Sequence, residues 1–191
     1  IFLHGCSMQQ LTVRASMPLI EGGVKALNKE SDLQIAKAAI PANLGLIEGM
    51  IINDPNNKAL HIYAAQAYYG FAYGFVEDQD RQRAAALYYR GLLHGQQVLQ
   101  QLGITKQQLT GPLDELQDAV NELDHEATAA LFWSASCWAK WIDMKRDSTE
   151  SLAQLPKAVM LMQRAYDLDE NFYMSGPNLF FGVYYANRSP G

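Results

Sequence analysis

The sequence predicts an all-α protein of helical hairpins packed side by side. Apolar residues recur at helical spacing along nearly all of its 191 residues. No stretch alternates apolar and polar residues as a half-buried strand would. Clusters of Gly, Pro and Asn punctuate the helical runs where tight turns are needed. A hydrophobic share of 49% allows one sizeable core or a short array of repeats. The net charge of −5 gives no basic face for nucleic acid.

The chain opens Ile1-Phe2-Leu3-His4-Gly5-Cys6-Ser7. Leu3-x-Gly5-Cys6 resembles the lipobox of bacterial lipoproteins: an apolar residue, a small residue, then the cysteine that receives lipid. Residues 1–20 are therefore expected to be the end of a signal peptide followed by a tether, with Met8 to Ser16 as its polar part. Acyl chains on Cys6 would anchor the domain to a bilayer while it stays in water. Ser7 after the cysteine favours the outer membrane. The alternative is an ordinary apolar segment with an incidental cysteine. The second cysteine, Cys137, lies among Trp133, Trp138 and Trp141 and reads as a buried thiol.

Residues 21–191 carry the helical domain. Ser31-x-x-Gln34 reads as a capping box. Leu33, Ala36, Ile40, Leu44, Ile47 and Ile51 follow at helical spacing, with Pro41 breaking or kinking the run. Asp54-Pro55-Asn56-Asn57 is a turn. Helices are expected over about 58–76, 80–102, 113–123, 126–144, 152–168 and 178–187, with Gly103 and Gly111-Pro112 as breaks.

No Asp, Glu, Lys or Arg occurs in 59–76, 127–139 or 171–187, so these segments are expected to be buried on most sides. The first is long enough to suggest a membrane span, but His61, Gln66 and its tyrosines carry too many polar atoms for one. Each segment pairs a small residue with an aromatic three positions on: Ala65 with Tyr68, Ala135 with Trp138, Gly182 with Tyr185. The small residue admits a neighbouring helix and the aromatic fills the gap beside it. This is the pattern of a TPR first helix. It predicts TPR-like hairpin repeats forming a compact right-handed superhelix, with irregular spacing and an insertion around 103–121.

In such arrays the first helices line the concave, ligand-binding surface. An uncharged aromatic lining suits an apolar or amphiphilic small molecule. Tyr69, Tyr73, Trp138 and Trp141 are the expected lining residues; ordinary core packing is the alternative. Enzymatic motifs are not found. Glu122-x-x-His125 matches half of a di-iron site but has no second copy. No catalytic residue, metal site or cofactor is expected.

Several segments together resemble the T-component family of TRAP transporters, the TatT-like lipoproteins. They are Pro41-Ala42-Asn43-Leu44, Glu48-Gly49-Met50, Asp54-Pro55-Asn56-Asn57, Tyr69-Gly70-Phe71-Ala72-Tyr73 and Ala86-x-Tyr88-Tyr89-Arg90-Gly91. Phe172-Tyr173-x-Ser175-Gly176-Pro177 and Phe181-Gly182-x-Tyr184-Tyr185-Ala186 complete the set. The resemblance implies a periplasmic, lipid-anchored protein of TPR-like hairpins. It implies association with the solute-binding P component, a homotrimer, and a role in handling a hydrophobic solute. Asn178 is also among the expected ligand-binding residues, although the family commonly continues Gly-Pro with His and Arg where this chain has Asn178 and Leu179, a departure that sets this chain apart from the family at that position. Two alternatives remain: a stand-alone periplasmic carrier of a hydrophobic ligand, and a TPR interaction scaffold in envelope maintenance.

Overall fold

Side-chain caps set where several of the long helices begin. The computed structural model describes residues 8–186, and every regular element among them is helical. Helix α1 spans Met8–Leu27. Helix α2 spans Leu33–Asn53, and its N-cap Asp32 accepts from the amides of Gln34 and Ile35. Helix α3, Lys58–Phe75, is capped by Asn57, and α4, Arg81–Gln101, by Asp80. Each cap satisfies an amide that the helix itself leaves unpaired, worth about 1 kcal/mol. The short α5 (Lys106–Thr110) and α6 (Leu113–Asn121) lead through a 3₁₀ turn to α7, Thr128–Met144. Helices α8 (Thr149–Leu152), α9 (Leu155–Leu168) and α10 (Phe172–Ala186) follow.

Helix α7 is central, packing most extensively on α4, then α9, and also on α3. Small residues make these approaches close. A Cβ added at Gly95 of α4 would lie 2.3 Å from Ser134 Oγ and 3.1 Å from the Ser134 backbone nitrogen. Ala65, Ala135 and Cys137 are fully buried in the same core. A second cluster joins α1 to α2 and α3 through Val13, Leu44, Ile47, Met50 and Leu60. Helix α2 is long and apolar enough to cross a bilayer by length and composition, but here Leu44, Ile47 and Met50 pack on its neighbours.

Several expectations need correction. The start of α2 is capped by Asp32 rather than Ser31, because the Asp32 carboxylate reaches two amides at once. Pro41 does not break α2, which runs unbroken through it. Met8 to Ser16, expected as a tether, is the first half of α1, with Val13 buried and Arg14 paired with Asp54 at 3.1 Å. Cys6 lies outside the described residues. The uncharged 171–187 segment is not buried on most sides, for Leu179, Val183 and Tyr185 are exposed. Helix α10 packs chiefly on α9 and α7, and reaches α3 through Tyr173.

Candidate functional site

A cavity of about 120 Å³ lies where α1, α2, α3 and α10 meet. Small residues create it. Gly23 of α1 and Gly70 of α3 face open space, with nothing within 4 Å of an added Cβ. Ala67 of α3 keeps the same wall low. Ile20, Val24 and Leu27 of α1 and Ile40 and Ile47 of α2 supply apolar surface. No charged residue lines it; its polar members are Asn28, Asn43, Tyr63, Gln66 and Tyr173.

Three of these polar groups form one cluster. Gln66 Nε2 donates to Asn28 Oδ1 at 3.1 Å and to the Tyr173 hydroxyl at 3.2 Å. The Tyr173 hydroxyl keeps its own proton to donate, and Gln66 Oε1 remains an acceptor. Burial pushes the Tyr173 phenol above its ordinary value, with the Gln66 bond opposing. Tyr63 is also raised, by burial and then by the charge of Glu21. Both phenols are therefore neutral hydrogen-bonding groups.

Tyr173 reaches the cavity through an uncommon backbone. Tyr173, Met174 and Ser175 have φ of 45°, 59° and 59°, the left-handed region that side chains disfavour. Each such residue costs on the order of 1 kcal/mol or more. Packing and hydrogen bonds hold the turn. The Tyr173 ring meets Trp133 edge-on at 4.7 Å. The Ser175 amide donates to the Asn171 carbonyl at 3.1 Å, and Asn178 Nδ2 donates to the Glu170 carbonyl at 2.8 Å. Gly176 then allows Phe132 to close in, since a Cβ there would lie 2.5 Å from its ring.

The five residues expected to bind ligand are spread over several environments. Tyr69 and Tyr73 stack at 5.9 Å, and Tyr69 also meets Tyr88 and Trp133. Tyr73 is largely exposed, with Lys140 Nζ over its ring at 5.2 Å. Trp138 is in the core and donates from its indole to Gln154 Oε1 at 3.0 Å. Trp141 packs beside Tyr89 in a groove between α4 and the end of α7. Asn178 braces the left-handed turn. None of the five lines the cavity, although Tyr69 is adjacent to Gly70 and Asn178 supports the turn that delivers Tyr173. Sequence reasoning missed Gln66, Tyr173, Asn28 and Gly70. Gln66 carried a signal, as a polar residue inside the uncharged run of α3.

The model of the family described as TRAP transporter T-component matches residues 29–191. No curated protein matches the chain. The matched span takes in every cavity residue of α2, α3 and α10.

Proposed function

Because the chain belongs to the TRAP transporter T-component family, we propose that it is the periplasmic accessory of a TRAP system, holding a small uncharged solute beside the solute-binding P component. The family is one of transport components, not of enzymes, and places the chain in the cell envelope. The finer reading rests chiefly on the uncharged cavity and the hydrogen-bonded cluster of Gln66, Asn28 and Tyr173 in its lining. Apolar walls favour hydrocarbon, and Gln66, Asn28 and Tyr173 favour a hydroxyl or amide over an ion. A carboxylate would enter without a cation to offset its lost hydration.

In this reading Tyr69, beside Gly70, and Asn178, which braces the turn of Tyr173, support the site, while Tyr73, Trp138 and Trp141 lie outside it. Cys6 is the proposed lipid acceptor, with the outer membrane as its anchor surface. TPR-like hairpin stacking and a homotrimer complete the proposal. The exposed Leu33, Ile35, Leu46 and Ile52 of α2 offer apolar surface for self-association.

Benzyl alcohol and benzoate are suitable probes, because apolar cavities of roughly 150 Å³ accept a benzene ring. Ligand-detected NMR should show the alcohol binding and the carboxylate at least tenfold weaker. Equal binding of the two, or binding of neither, would remove the solute part of the proposal.

A further inference from the structure

Two histidines outside the cavity form one hydrogen-bonded chain. His61 Nε2 lies 2.9 Å from the Pro55 carbonyl. His61 Nδ1 lies 2.9 Å from His94 Nδ1. His94 Nε2 lies 3.3 Å from Glu48 Oε1, which also accepts from the Tyr68 hydroxyl at 2.6 Å and Arg90 Nη2 at 2.9 Å. His61 is buried.

The protons of this chain can be counted. A carbonyl has none to give, so His61 Nε2 carries one. Glu48 has none to give either. Burial raises its carboxyl, but the Tyr68 hydrogen bond, the charge and hydrogen bond of His94, and the Arg90 bond outweigh it, leaving it below its ordinary value. His94 Nε2 therefore carries a second proton. The facing Nδ1 atoms need one between them, since two lone pairs at 2.9 Å would repel. Two neutral imidazoles hold two protons, and this arrangement holds three.

We infer that His61 and His94 together bind one excess proton, shared between their Nδ1 atoms, so that the pair is a single cation facing Glu48. Elements packed around the pair supply Glu48 from α2, Tyr68 from α3 and Arg90 from α4. The shared proton thus links α2, α3 and α4 through one charged network. Arg90 lies 4.4 Å over the Tyr68 ring, and Tyr68 stacks on His94 at 5.7 Å. Ile47 and Ala67, next in sequence to Glu48 and Tyr68, line the cavity, so the network stands directly behind its wall.

The shared proton completes every contact of the chain. A second is resisted. Burial foremost lowers the affinity of His94 for a charge of its own, with His61 and Arg90 acting the same way and Glu48 opposing. A charge on His94 alone is therefore disfavoured, and forcing it on the acid side costs stability.

Imidazole ¹⁵N spectra of the full chain, recorded about one unit above the ordinary histidine value of 6.5, test this directly. Protonated Nε2 signals are expected from both rings, with the two Nδ1 signals averaged midway between protonated and bare. One protonated and one bare nitrogen on each ring would overturn the inference. A second measurement compares urea midpoints of the wild type and His94→Gln from that pH upward. The wild type should lose stability relative to the variant, by one proton's linkage. A constant difference would count against the shared proton. If His94→Gln does not fold, the spectra of the wild type decide alone.

Discussion

Gln66 of α3 and Tyr173 of α10 meet across 107 residues of chain, with Gln66 Nε2 donating to the tyrosine hydroxyl at 3.2 Å. This contact joins the polar cluster of the cavity to the left-handed turn. Tyr173→Phe keeps the ring against Trp133 and removes only the hydroxyl. Benzyl alcohol affinity should fall three- to tenfold, from a lost hydrogen bond worth about 1 kcal/mol. Toluene, which has no hydroxyl, should bind the variant as it binds the wild type; a parallel loss for toluene would mean that the turn had moved.

Gly70→Leu should separate folding from binding. Its Cβ meets nothing within 4 Å, and the new side chain projects toward the cavity. Replacing a helical glycine favours the folded state by up to about 1 kcal/mol. Thermal unfolding should occur at or above the wild-type temperature, while binding of the alcohol disappears. Retained binding would relocate the site.

Gly95→Val should do the reverse. Here the added side chain meets the backbone of Ser134 rather than open space. The α4–α7 interface must part, at a cost of about 1–3 kcal/mol. Urea denaturation should report a lower midpoint with an unchanged slope.

Glu48 should govern acid stability. Burial raises its folded carboxyl, but the Tyr68 hydrogen bond and the His94 and Arg90 contacts outweigh this and hold it below its ordinary value. The ionised form therefore contributes stability above that value, and the contribution is lost as pH falls through the folded value. Glu48→Gln should flatten this part of the acid unfolding curve, followed by circular dichroism. An unaltered acid limb would show that the Tyr68 and Arg90 contacts do not favour the ionised carboxyl.

Cys137 should be unreactive in the native protein. It is fully buried, and burial pushes its thiol well above the usual value. In a Cys6→Ser background, an aromatic disulfide reagent should titrate no thiol until denaturant is added. Rapid native labelling would contradict the packing of α7 on α3 and α4.

Much of the helical architecture was legible because its signals are local. Asn57 and Asp80 announce α3 and α4 as caps, and the small residues Ala65 and Ala135 mark where helices approach. Boundaries moved where two caps competed, as at Ser31 and Asp32. The site was less legible. Tyr69, Trp138 and Trp141 look like a lining because aromatic residues serve cores and ligand surfaces alike; their neighbours decide between the two. Gly70 and Gly23 shape the cavity through the side chains they lack. The left-handed turn at Tyr173 to Ser175 has no glycine to announce it, because contacts with Trp133, Phe132 and Asn171 impose it. The His61–His94 contact joins helices whose relative placement no sequence spacing encodes.

The most direct measurement is affinity capture of the tagged full-length protein from its own bacterial envelope, with partners quantified by mass spectrometry. The expected result is near-stoichiometric recovery of the P component of a TRAP transporter, retained in the Gly70→Leu variant that cannot hold solute. Recovery of the protein alone, from envelopes in which that P component is abundant, would contradict the accessory role.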